Sequence, residues 1–257
     1  MLPNVTLEDL LEAGAHFGHQ TSRWHPKMAP YIFGERAGIH LIDLKKTLYG
    51  ILEAYEVTRR TVANGGSVLF VGTKKQAKDI IREEAERCGM FYVSERWLGG
   101  MLTNFRTIRS SVDRMKEIER NRENGTFDQL TKKEVLELEK DHGRLEKVLN
   151  GVRDMERTPN LMFIVDAKKE EIPIREAKKL HIPIIAICDT NTDPNMVDYS
   201  IPANDDAIKS IKLIAGAIAD AVRDGMSGSQ LLKRIDDESH AAEAENSSSD
   251  KDKPKEK

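Results

Sequence analysis

Four aspartates stand where short apolar runs end. Asp166 follows LMFIV, Asp189 follows IPIIAIC, and Asp205 with Asp206 follows YSIPAN. If those runs are parallel strands, the carboxylates gather at the carboxyl edge of one sheet, where sites of such folds form. Hard oxygen donors in that number suit a divalent ion. The competing reading is local: helix capping for Asp205 and Asp206, and Asx turns for Asp189 and Asp193 in DTNTDPN. No lysine or nucleophile is visibly placed with them, which weighs against catalysis. A metal-dependent phosphohydrolase on the Asp166 and Asp189 edge is the second reading.

Two basic stretches carry a different chemistry. RWHPK holds Arg23, Trp24, His25 and Lys27, and RWLGGMLTNFRTIR holds Arg96, Arg106 and Arg109. Cations that meet phosphates, beside rings that stack on exposed bases, suit RNA. The alternative is a solvated face whose long side chains lie along apolar surface. VGTKKQ follows an apolar run as a phosphate loop would, yet GxxxxGK[ST] and GxGxxG are absent, and a tight strand-to-helix turn is the simpler reading. GxSxG, HExxH and kinase signatures are also missing.

The whole chain bounds these readings. Its 257 residues suit one large domain, or one domain with an insertion. Net charge is −3, and residues 236–257 hold eight acids against four lysines, so the body is nearly neutral. A neutral body does not announce a nucleic-acid partner, and an RNA interface must rest on local clusters. Cys88 and Cys188 have no metal-ligand company and read as core residues of a reduced, cytosolic protein. The most apolar helical stretch, Leu213 to Val222, is short and contains Asp220, so no membrane span is expected.

The elements that must position these residues alternate in type. Thr6 caps a helix ending at Gly14, residues 16–30 read as a loop, and YIF and IHLI form a small hairpin. Asp43 opens a helix to Ala63, SVLFV is a doubly buried strand, Thr73 caps the next helix, and FYV is a strand. LMFIV, a helix over IREAKKL, IPIIAIC, the weaker strand YSIPA and a helix from Asp205 to Gly225 continue the pattern. The fold class is α/β, with a parallel sheet covered by helices on both faces. The tail after Ile235 has nothing to bury and is expected to be disordered.

Residues 105–158 interrupt the alternation. Of these 54 residues, 25 are charged, against 32% for the chain. Phe105, Ile108, Val112, Met115 and Ile118 mark one apolar stripe. After a capping box at Thr131 and Glu134, Val135, Leu138, His142, Leu145, Leu149 and Val152 mark a heptad seam. Two such helices predict an antiparallel coiled-coil hairpin protruding from a sheet domain made of residues 1–104 and 159–226. Residues 227–257 are left as a helical turn and the acidic tail.

AGAHFGHQTSRWHPKMAPYIFG, HLIDLKKT, VLFVGTKKQA, RWLGGMLTNFRTIR, GTFDQLTKKE and CDTNTDPNMVDYSIPANDDAI resemble the bacterial S-two proteins of the small ribosomal subunit, in order from about Leu7 to Gly225. The resemblance implies a Rossmann-like (flavodoxin-like) domain with a protruding hairpin, and a structural, non-catalytic role in translation. It implies binding to small-subunit ribosomal RNA between head and body, contacts with neighbouring ribosomal proteins, and anchoring of the mRNA-recruiting protein S-one. It does not imply an obligate homo-oligomer. It also implies zinc on the edge containing Asp189, Asp205 and Asp206, to which His19 would add a nitrogen if the amino-terminal segment folds over that edge.

On this reading Gly99 and Gly100 let the chain fold back into the hairpin, and Asn104 caps its first helix. Trp97, Leu98, Met101 and Leu102 pack the junction, and Arg96, Arg106 and Arg109 face outward toward RNA.

Overall fold

The computed structural model describes residue 3 and residues 5–249. From the amino terminus, α1 (Leu7–Glu12) is capped by Thr6 and leads into β1 (Phe17–Gln20), two short 3-10 turns, β2 (Ile32–Arg36) and β3 (Ile39–Ile42). β1, β3 and β2 form an antiparallel sheet in that order. The sequence predicted loop throughout residues 16–30. FGHQ has only two apolar-compatible positions, and pairing with the far side of the β2–β3 hairpin makes it a strand. Asp43 then accepts the Lys45 N–H and starts α2 (Leu44–Ala63).

β4 (Val68–Val71), α3 (Lys78–Arg87), β5 (Phe91–Val93), α4 (Phe105–Glu123), α5 (Lys132–Leu149), β6 (Leu161–Val165), α6 (Glu171–Lys179), β7 (Ile184–Cys188), β8 (Tyr199–Pro202) and α7 (Ile208–Ser249) complete the chain. The five later strands are parallel in the order β5-β4-β6-β7-β8. Counted within that sheet this is 2-1-3-4-5, the flavodoxin-like order, with the topological switch between β4 and β6. β4, β6 and β7 are buried at every position. Alternate side chains feed two cores. Phe70, Phe163, Ile185 and Ile201 meet α2, α3 and α7 on one face. Leu69, Met162, Ile164 and Ile184 meet α6 and the bases of α4 and α5 on the other.

α4 and α5 run antiparallel, as the cross-pairs Arg122–Glu139 and Lys116–Asp154 require. Ile108, Val112, Leu149 and Val152 belong to the sheet's second core, while Met115 and Ile118 are buried farther along the pair. His142, the break in the apolar seam, is buried with its Nε2 3.0 Å from Glu119 Oε1.

Three caps differ from expectation. Thr73 lies outside α3, which begins at Lys78. Asn104 sits at the head of α4, but its Oδ1 accepts the Thr107 hydroxyl rather than a backbone N–H. Asn204, not Asp205 or Asp206, closes the turn before α7, accepting the Asp206 and Ala207 N–H groups. α7 also runs past Gly225 to Ser249, where a disordered tail was expected. Ala-rich and Glu-rich sequence around Ala241–Glu245 has high helix propensity and meets no proline before Pro254. The tail's last residues, 250–257, lie outside the described residues. Among the described residues, no helix is long and apolar enough to cross a membrane.

Candidate functional site

The carboxyl edge of the parallel sheet does collect the aspartates, but around a lysine. Lys74, in the turn after β4, places Nζ 2.6 Å from Asp205 Oδ1, 2.6 Å from Asp206 Oδ1 and 3.2 Å from Asp166 Oδ2. The sequence did not show which lysine stands with these aspartates, because Lys74 arrives from another strand. Burial opposes its charge, but the surrounding carboxylates outweigh that and hold the ammonium well above the usual lysine range. Asp205 is fully buried, and burial, with Asp166 and Asp189 beside it, pushes its carboxyl up to about 7 against the pull of Lys74.

Thr73 of VGTKKQ is closed in the same way. Thr73 directs both its N–H (2.9 Å) and its hydroxyl (2.6 Å) to Glu170 Oε1. A phosphate loop would aim such donors at a ligand; here a carboxylate of the chain takes them.

The amino-terminal sheet folds over this edge. The His19 N–H donates to Asp189 Oδ1 and to Thr190 Oγ1, and the His25 N–H to the Thr190 carbonyl at 2.7 Å. Gly18 permits the approach: a Cβ there would lie 2.6 Å from Thr190 Cγ2. The His19 ring sets Nδ1 3.0 Å from Asp189 Oδ2 and Nε2 3.8 Å from Asp206 Oδ2. The hydrogen bond to Asp189, helped by the charges of Asp205 and Asp206, raises the imidazole's pKa.

His19, Asp205 and Asp206 each bring a donor atom within 4.8 Å of the others, which a metal ion could share. Asp205 Oδ2 is buried without a hydrogen-bond partner, the one carboxylate oxygen so placed among the described residues. The donor set therefore fits an ion. Asp189 stands outside it. Its Oδ1 is spent on backbone N–H groups and its Oδ2 orients His19, the second role a carboxylate takes beside a metal-bound imidazole.

The basic stretches divide. Arg96 and Arg106 are exposed and have no ion pair among the described residues, and the same holds for Arg23. Trp24 is 40% exposed, with its ring 5.4 Å from His40. His25 Nδ1 accepts the Lys27 N–H, and Lys27 Nζ pairs with Asp193 at 2.7 Å. Arg109 does not face outward. Its Nη1 donates to the carbonyls of Arg153 and Met155, both at 3.1 Å, and ties α4 to the chain leaving α5.

RWLGGMLTN folds around Glu176 of α6, a residue that sequence reading missed. Oε1 accepts the Trp97 indole N–H (3.0 Å) and the Gly100 N–H (2.7 Å). Oε2 accepts the Leu102 and Thr103 N–H groups, each at 3.0 Å, and the Thr103 hydroxyl. Gly100, at φ +89°, provides the left-handed turn that aims these amides inward. Burial favours the neutral acid, yet the five donors prevail and hold Glu176 below the usual carboxylate range. Trp97, Met101 and Leu102 pack beneath, as the junction reading required.

Strand order, a carboxyl edge closed by its own ammonium, and a helix pair inserted between β5 and β6 together define a flavodoxin-like α/β domain with a built-on helical arm. The family model described as ribosomal protein S2 matches residues 10–225, and the chain belongs to that family. It is a structural protein of the small ribosomal subunit, among that subunit's RNA and proteins. The phosphohydrolase reading finds no support: Lys74 fills the edge it needed, and the family is a structural one.

Proposed function

We propose that the chain binds small-subunit ribosomal RNA directly, between head and body of the cytoplasmic subunit, and supports translation from there. The observation that carries this reading is the exposure of Arg96 and Arg106, free of ion pairs among the described residues, on the loop and helix that Glu176 holds in one conformation. A fixed loop presents cations at low entropic cost. Arg23, Trp24 and His25 form a second contact on the amino-terminal sheet. α4 and α5 act as a protruding antiparallel coiled coil for neighbouring ribosomal proteins, and S-one is a further partner. The chain works without obligate self-association. Sedimentation of a lysate tests this: co-migration with small subunits, weakened by Arg96→Ala with Arg106→Ala, is expected. A chain remaining in the unsedimented fraction would refute it.

A divalent ion, zinc by donor type, is proposed at His19, Asp205 and Asp206, with Asp189 orienting the imidazole. The orphaned Asp205 Oδ2 favours it. The ion would pin the amino-terminal sheet to the sheet edge. Elemental analysis after dialysis should find near-stoichiometric zinc, lost in Asp205→Asn with His19→Asn.

A further inference from the structure

Beside the carboxylate edge lies a cleft of about 360 Å³ lined by His19, Arg23, Asp166, Lys168, Lys169 and Asn191. It opens beyond the carboxyl ends of β6 and β7, next to the β4–β6 switch point, on the edge where ligands bind in such sheets. Arg23, Lys168 and Lys169 are exposed at its mouth, and none has an ion pair among the described residues. Other lysines around this edge do have one: Lys27, Lys74 and Lys78 each pair with a carboxylate at 2.7 Å or less. Three like charges at one mouth repel one another, and an anion removes that cost.

The one acid lining the cleft, Asp166, is held by partners of the chain itself. Asp166 Oδ2 faces Lys74 Nζ and its Oδ1 accepts the Lys169 N–H at 3.0 Å. Asp166 is also a non-glycine residue at φ +67°, a conformation that costs energy and recurs at binding sites. That conformation sets the turn in which the Lys169 and Glu170 N–H groups both reach the Asp166 carbonyl at 3.1 Å. The turn leaves Lys168 and Lys169 side by side in solvent. Arg23 reaches the same mouth because His19 and His25 dock on Thr190.

We propose that Arg23, Lys168 and Lys169 form a phosphate-recognition site for the RNA backbone. The site rests on the RNA-binding reading above and joins Arg23 of the first basic stretch to Lys168 and Lys169, which neither basic stretch contains. Phosphate is the shared chemistry of an RNA backbone and of a free phosphate or nucleotide. The backbone is favoured because the crevice behind the mouth is shut: Thr73 is spent on Glu170 and Lys74 on three carboxylates. A nucleotide would need that space, whereas a backbone passing across the mouth would not.

Binding of transcribed small-subunit ribosomal RNA is measured over a potassium chloride series. The chains compared are wild type, Lys168→Ala with Lys169→Ala, the same positions changed to Arg, and Arg96→Ala with Arg106→Ala. The alanine pair should weaken binding more than tenfold and flatten log affinity against log salt by about two units, near one per lost phosphate contact. The arginine pair should keep the wild-type slope. An unchanged slope in the alanine pair, with RNA bound and the Arg96, Arg106 variant impaired, would overturn this site and leave the wider reading standing. A wild-type chain without RNA affinity would overturn both. Inorganic phosphate bound at millimolar concentration without competing with RNA would assign the cations to a free anion and overturn the backbone assignment.

Discussion

Lys74, in the turn after β4, holds Asp205, beyond the end of β8, at 2.6 Å, so one ammonium joins two strands that β6 and β7 separate in the sheet. Lys74→Met should leave Asp166, Asp205 and Asp206 facing one another. Removing one partner of a buried pair costs about 3–5 kcal/mol, and urea denaturation at neutral pH should show a loss of that order. Because the ammonium competes with an ion for these oxygens, added zinc should restore more stability to Lys74→Met than it adds to the wild type. Equal zinc responses would separate Lys74 from the ion site.

Glu176 sets a pH dependence. Its carboxyl is held below the ordinary 4.5, so its stabilising contribution is complete above that value and is lost as pH falls through the lower folded value. Glu176→Gln should flatten the acid limb of stability in this window. Glu176→Ala should cost about 2–4 kcal/mol at pH 7, since it strands buried N–H donors. Melting profiles from pH 3 to 7, compared among the three chains, decide this.

The three junction arginines should not behave alike. Arg96→Ala and Arg106→Ala should leave thermal stability within about 0.5 kcal/mol, as exposed substitutions do, and should each flatten the salt dependence of RNA binding by about one unit. Arg109→Ala should do the reverse, costing about 1–3 kcal/mol through two lost carbonyl partners. Similar stability losses in all three would show that Arg96 and Arg106 are structural as well.

Leu149 is fully buried in the second core, whereas Leu145 is only half-buried. Leu149→Ala should cost about 2–5 kcal/mol and Leu145→Ala less. Hydrogen exchange should show Leu145→Ala loosening α4 and α5 before β4 and β7, because the outer part of the helix pair lies beyond the sheet cores. Uniform loss of protection would mean that arm and sheet open as one unit.

Gly18→Ala places a methyl group 2.6 Å from Thr190 Cγ2. The amino-terminal sheet must shift, at a cost of about 1–3 kcal/mol typical of overpacking. Limited proteolysis should then cut within residues 16–40 faster than in the wild type, and Arg23 should no longer contribute to the salt slope. Unchanged proteolysis would show that the interface yields elsewhere.

The sequence by itself determined the strands of the parallel sheet and most helices. LMFIV and IPIIAIC are too apolar for anything but a doubly covered strand, and Asp43 and Thr131 carry caps readable within three residues. The fold-back at Trp97–Gly100 was also visible, because glycine and tryptophan announce a turn and its packing. What encloses that turn was not. Glu176 lies 73–79 residues away and meets mainly backbone N–H groups, which leave no mark on residue type. Lys74 and Asp205 are 131 residues apart, so only the strand order could bring them together and reveal that the carboxylate edge holds an ammonium of its own. The direction of a long cation was likewise a tertiary matter. Arg106 and Arg109 share one helix and one composition, but two unspent carbonyls stand beside only one of them, and that side chain turned inward.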